Sequence, residues 1–226
     1  MINFRKKKIN LIGSWPRQVL CALFIGCSGL AVADAAFAQD FAREFSKRAG
    51  TAINQALSFA QKDEYQKAIG VLEVELAGND LSPTEFATIY QMMGQYNYEL
   101  GRKDEALQAF QNALRSGGLT PQDEVNLKLV AAQLMIGNGN YREGAERLES
   151  LIAPGQASRP QYVELLVNAW VQTEDYPRAL PWAEKWFEKA EPKTKRHYDL
   201  LTFLYNSLGM TDAEQKISEE RAGKGL

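Results

Sequence analysis

The chain has 226 residues, 45% hydrophobic and 24% charged, an ordinary globular composition that excludes a wholly disordered, collagenous or polytopic membrane protein. Its 26 basic and 28 acidic residues give a formal charge of -2, without the basic excess of a nucleic-acid binder. The charge is unevenly placed, because Arg5, Lys6, Lys7, Lys8 and Arg17 oppose only Asp34 in the first 38 residues, leaving 21 basic and 27 acidic residues, a formal -6, to the remainder.

After the basic cluster an uncharged apolar stretch runs from Val19 to Ala33. It falls short of the roughly 20 apolar residues that cross a bilayer. Downstream stand Ala36, Phe37 and Ala38 before Gln39, with small residues at the first and third positions that signal peptidase accommodates. The expectation is a bacterial signal peptide over residues 1–38, cut after Ala38, and a domain over 39–226 delivered to the periplasm. One alternative is an uncleaved anchor. Another is a lipidated Cys27, which Gly26 suits and Phe24 does not, since lipoprotein signals carry a leucine-like aliphatic there. Both cysteines, Cys21 and Cys27, lie in this leader. A chain cut after Ala38 holds none, so disulfides, a cysteine nucleophile and thiolate metal sites are excluded from it.

From Phe41 onward apolar residues return at three- and four-residue spacing, with almost no period-2 alternation, which predicts an all-α domain. Tyr90, Met93 and Gly94, then Leu100 and Gly101, then Glu105, Ala106, Phe110 and Ala113 describe two helices that turn at Gly101. The small residues Gly94, Ala106 and Ala113 admit a close approach, and Tyr90, Met93, Leu100 and Phe110 are expected to fill the space between. This unit resembles the tetratricopeptide repeat in residue type and spacing, departing from the family at Asn97, where a tyrosine-like residue is usual. The small residue that opens the second helix recurs as Ala68, Ala106, Gly144, Ala179 and Ala213, at intervals of 38, 38, 35 and 34 residues. The resemblance implies a right-handed α-solenoid of about five helix pairs, near 50–78, 84–117, 121–153, 159–190 and 195–220. Ser82-Pro83-Thr84-Glu85 and Thr120-Pro121-Gln122-Asp123 each place a hydroxyl cap before a proline and an acid, which predicts a fresh helix at each. The first pair has Asp63 where the turn glycine belongs, and the last ends in a polar tail; atypical ends suit a stacked array.

Catalytic chemistry is poorly provided for. His197 is the single histidine, placed beside Arg196 and Tyr198 as a solvated or hydrogen-bonded side chain. No zinc-type histidine pattern or phosphate-cradling loop is present. Glu73 with Glu75, and Glu143 with Glu146 and Glu149, are expected on exposed faces as solubility charges. Trp170 is expected in the core, while Trp182 and Trp186, one turn apart, fit either the core or an exposed stripe for a partner. These readings predict a protein that is not an enzyme and needs no cofactor.

The resemblance further implies that the first helices line a concave groove. Its groove-facing positions fall on Gln91, Gln95, Tyr98 and Glu99, on Leu129, Gln133 and Ile136, on Glu164, Asn168, Val171 and Gln172, and on Asp199, Phe203 and Asn206. Lysine and arginine are nearly missing from that set, so the family's carboxylate clamp is not expected, Asn168 being its one well-placed member. Amides can hydrogen-bond an extended segment while Leu129, Ile136, Val171 and Phe203 receive its apolar side chains. In texture the chain is similar to periplasmic tetratricopeptide proteins that accompany TonB-ExbB-ExbD energy-transduction systems. That similarity implies a scaffold that holds an envelope protein in support of TonB-dependent outer-membrane transport. The alternatives are an adaptor for cell-envelope or peptidoglycan machinery and an enzyme accessory. The partner expected is an envelope protein or peptide segment, with no nucleic acid, and membrane contact only through that partner unless Cys27 is lipidated.

Overall fold

The computed structural model describes residues 45–78, 80–153 and 159–226. All of them lie in one compact unit, Ala33–Leu226. The leader, the Ala38 cut and the lipidation alternative at Cys27 lie outside the described residues. Among these residues there are ten helices and no strand: α1 (Lys47–Ala60), α2 (Tyr65–Leu76), α3 (Pro83–Glu99), α4 (Lys103–Arg115), α5 (Pro121–Gly137), α6 (Tyr141–Ile152), α7 (Pro160–Gln172), α8 (Tyr176–Glu188), α9 (Lys195–Ser207) and α10 (Thr211–Gly223). The main contacts run between consecutive helices, so each pair packs on the pairs before and after it.

Local chemistry starts the helices where the capping signals lie. Ser82 Oγ accepts the N–H of Glu85, and the Glu85 carboxylate accepts the N–H of Ser82 in return, with Pro83 opening α3. Thr120 Oγ1 caps α5 by accepting the N–H of Asp123. The other oxygen of Glu85 accepts the N–H of Ser46 at 2.6 Å, tying the start of α1 to the start of α3.

Each pair turns through one residue with positive φ: Asp63 (58°), Gly101 (75°), Gly139 (88°), Glu174 (58°) and Gly209 (69°). Glycine takes this left-handed conformation without a Cβ penalty, so the first and fourth turns are strained relative to the other three. These residues also give an internal ruler. Five positions past the turn stand Ala68, Ala106, Gly144 and Ala179, the buried small residues expected to open the second helices. In the last pair that position holds Glu214, and Ala213 is only half-buried. The small-residue register therefore does not extend to Ala213. α10 buries Ile217 alone and has water on its far side, so nothing there requires a small side chain.

Seven residues before the turn and nine after it lie two side chains that trade volume along the array. The pairs are Ala56 with Leu72, Gly94 with Phe110, Ala132 with Leu148, and Val167 with Ala183, all buried. A Cβ built on Gly94 would sit 2.3 Å from Phe110 Cε1, which shows the ring filling the space that an alanine methyl takes in the neighbouring pairs. Leu100, expected between the helices, is exposed: it caps α3 just before the chain reverses. Asn97, at the departing position, is buried and donates its amide to Met93 O at 2.9 Å.

Candidate functional site

The ruler assigns the expected groove residues to three rows along the first helices. Ten residues before the turn stand Gln91, Leu129, Glu164 and Asp199; six before it, Gln95, Gln133, Asn168 and Phe203; three before it, Tyr98, Ile136, Val171 and Asn206. Each row holds one side chain per pair on equivalent faces of α3, α5, α7 and α9, and Gln172 follows Val171 at the exposed end of α7.

Two of the expected apolar contacts are not available to a partner. Leu129 and Ile136 are 6% and 4% exposed and belong to the core. The reason is local. From Leu129 to Ile136 α5 buries side chains on nearly all its surface, as a helix segment covered by neighbours on both sides does. Ile136 leans onto Gly144, where an added Cβ would come within 2.6 Å of its Cγ1. Val171 and Phe203 remain half-buried, and Phe203 meets Tyr176 edge-on at 5.5 Å.

The middle row is polar on α3, α5 and α7 and partly unsatisfied. Gln95 Nε2 donates to Glu99 at 2.8 Å, while Gln95 Oε1 is buried without a donor. Gln133 and Asn168 are half-buried on the next two first helices. Two acids of the face are neutralised by neighbours, Glu164 by Arg196 across α7 and α9 and Asp199 by Lys195 and Arg221, while the exposed Glu99 accepts the Gln95 amide. Arg196 thus brings a cation beside a face expected to have almost none, but it is committed to Glu164.

The aromatic cluster of the fourth pair and the acids of α6 in the third serve the scaffold. Trp170 is fully buried beneath the Arg178 guanidinium, 3.9 Å from the ring centroid. Arg178 bonds Glu146 and Glu149, and Trp182 Nε1 donates to Glu149 at 2.7 Å. Trp186 is buried against the His197 ring at 4.1 Å, so Trp182 and Trp186 form no free stripe. Three acids expected as solubility charges therefore hold elements together: Glu146 and Glu149 in this network, and Glu75, which is buried and accepts Arg48 Nε at 2.8 Å. The His197 imidazole is held neutral by burial, below its ordinary range despite the pull of Glu164, and its Nδ1 accepts the N–H of Thr194 at 3.0 Å. Among the described residues no three His, Cys, Asp or Glu side chains gather into a metal-binding group.

Sequence reasoning missed Leu57, which occupies the middle row on α1 and is 41% exposed, because the first pair was not carried into the groove assignment. It also missed Val74, 77% exposed on α2. The ruler itself holds that signal, since the equivalent positions in the other pairs are Asn112, Ser150, Lys185 and Glu220.

No protein-family model and no curated protein matches the chain. Its fold is similar to that of solved tetratricopeptide-repeat structures. A tetratricopeptide repeat protein from Parabacteroides merdae is 16% identical with a TM-score of 0.57, over 79% of this chain and 67% of that one. MamA from Desulfovibrio magneticus is 15% identical with a TM-score of 0.54, over 79% and 93%. A MamA mutant is 14% identical with a TM-score of 0.58, over 80% and 95%. The chain therefore has the tetratricopeptide-repeat fold, an all-α solenoid of five helix pairs among the described residues.

Proposed function

We propose that the chain is an exported scaffold of the bacterial cell envelope that holds a segment of another envelope protein against its first-helix face. The observation that carries the reading is the middle row, Gln95, Gln133 and Asn168, in which three amides follow one another and a buried acceptor, Gln95 Oε1, lacks a donor. An extended polypeptide offers backbone N–H and C=O groups that amides satisfy from either side. Phe203, the next member of the row, and Val171 beside it supply half-buried apolar surface. The basic and apolar leader and the Ala36-Phe37-Ala38 site support export, and the likeness to periplasmic tetratricopeptide proteins of TonB-ExbB-ExbD systems supports a part in TonB-dependent outer-membrane transport.

Crosslinking in intact cells, followed by identification of the captured protein, tests this reading. A TonB-system component supports the transport role; a division or peptidoglycan enzyme moves the scaffold to the alternative pathway. Replacing Asn168 by Ala, or Phe203 by Leu, is expected to weaken capture by about 1–2 kcal/mol each with the helical circular dichroism unchanged. Because Glu164 and Asp199 are already paired and the amides of the face are uncharged, added salt is expected to change affinity little. Capture that collapses in salt and survives both substitutions refutes the groove. Intact mass of the envelope-fraction protein tests the leader: a chain beginning at Gln39 supports the cut after Ala38, and one that includes an acylated Cys27 replaces that cut with a lipoprotein.

A further inference from the structure

We propose that the hollow between α2 and α4 binds a guanidinium group, brought by an arginine side chain of a partner polypeptide. The internal ruler shows what this gap lacks. Between α6 and α8 the gap is closed by the chain's own side chains. Glu149 stands ten positions past the turn on α6, Arg178 and Trp182 stand four and eight past it on α8, and Trp170 stands four before it on α7. Arg178 bonds Glu149 at 2.7 Å and lies over the Trp170 ring, and Trp182 donates to the same carboxylate. The same four positions between α2 and α4 hold Glu73, Glu105, Ala109 and Asn97. Small side chains thus replace both rings, and a second carboxylate replaces the guanidinium.

What remains is a hollow of about 290 Å³, with the buried Ile69, Asn97 and Ala109 on its floor and the exposed Glu73, Glu105 and Arg102 at its rim. That volume lies below the roughly 300–1,000 Å³ of pockets that enclose small molecules, and it suits the end of a side chain whose backbone stays outside. Among the described residues the carboxylates of Glu73 and Glu105 take part in no ion pair or hydrogen bond. The glutamate equivalent to Glu73 in the fourth pair, Glu184, accepts the Tyr205 hydroxyl at 2.9 Å, as Glu149 accepts Arg178 in the third. Asn97 supplies a third acceptor from below. It is 7% exposed, its Nδ2 donates to Met93 O at 2.9 Å, and its Oδ1 accepts from no described residue. Two carboxylates on opposite walls and a carbonyl on the floor therefore surround one space without a donor. A guanidinium carries five N–H groups in one plane, so it can reach all three at once, whereas an ammonium is a single point charge. The Arg102 guanidinium shares the rim but bonds neither acid, so the chain does not close this gap as Arg178 closes the other.

Calorimetric titration of the purified protein with the capped tripeptide acetyl-Gly-Arg-Gly-amide tests the site. Binding is expected, weaker for the lysine peptide and undetectable for the citrulline peptide, which keeps the shape without the charge. Glu73→Gln and Glu105→Gln should each raise the dissociation constant by roughly fivefold or more, with the circular dichroism unchanged. Asn97→Met, the residue type the third pair carries at Met135, should fill the floor and abolish binding. Glu219→Gln, which removes an acid from α10, should change nothing, so a mere response to net charge is recognised. Arg102→Gln removes a like charge and should leave binding as tight or tighter. No uptake of the arginine peptide, equal uptake of the citrulline peptide, or binding that survives both glutamate substitutions overturns the proposal. Loss of binding in Arg102→Gln also overturns it, because an anion would then be the group held.

Discussion

Replacing Gly94 by Ala tests the packing logic of the array, because the outcome depends on a residue sixteen positions away. The added Cβ would lie 2.3, 2.5 and 2.9 Å from three ring carbons of Phe110, and that ring is fully buried. Carbon atoms pack best at about 3.5–4.0 Å, so the ring must retreat by about 1 Å or more into a filled core. Overpacking of this kind costs about 1–3 kcal/mol, and the size of the overlap places it near the upper end. Alanine recovers about 1 kcal/mol of helix propensity. The expected net loss is therefore about 2 kcal/mol, read from urea unfolding, or about 4–8 °C in Tm. Phe110→Leu alone should cost about 1 kcal/mol. Together the two changes recreate the pairs Ala56 with Leu72 and Ala132 with Leu148, and the double variant should stand within about 1 kcal/mol of the parent. A Gly94→Ala change that costs the same stability in the parent and in the Phe110→Leu background would refute the volume trade.

Glu174→Gly should stabilise the chain by about 0.5–1 kcal/mol in urea unfolding, since Glu174 has φ 58° at a turn where three other pairs use glycine; Gly101→Ala should lose a similar amount. Burial opposes ionisation of Glu85, but hydrogen bonds from Ser46 and Ser82 together outweigh it and hold its carboxyl down to about 2. Its folded pKa is thus depressed, so its contribution is present above about pH 4.5 and lost as pH falls toward 2; Glu85→Gln should lose about 1–2 kcal/mol at pH 7 and flatten that part of the stability profile. His197 also has a depressed pKa, so its neutral form is favoured by folding: stability is full above about pH 6.5 and declines below it, as Nδ1 takes a proton and can no longer accept from Thr194. Chemical denaturation at pH 7 and pH 5, above the carboxylate window, should show this loss and show it removed in His197→Asn.

Features that depend on neighbours along the chain were legible in the amino-acid sequence. Helical period, the Ser82 and Thr120 caps, the turn glycines and the 35- to 38-residue spacing are all set within a turn or two of backbone, so they could be read without knowing what lies across the array. The amide positions Gln95, Gln133 and Asn168 came from the family resemblance, and the turn residues set them at one register on α3, α5 and α7. Which side chains reach water depended instead on packing between distant segments. Leu129 and Ile136 fit the groove pattern but are enclosed, because α5 is covered on both sides and Gly144 leaves room for Ile136 to turn inward. Glu75, Glu146 and Glu149 look like solvated charges in sequence and are bound by Arg48 or Arg178, whose guanidinium groups arrive from residues 27 to 32 positions away. Leu57 and Val74 are apolar and stand exposed, because no described helix packs on their faces, and a helix's own sequence does not say which other helices will cover it.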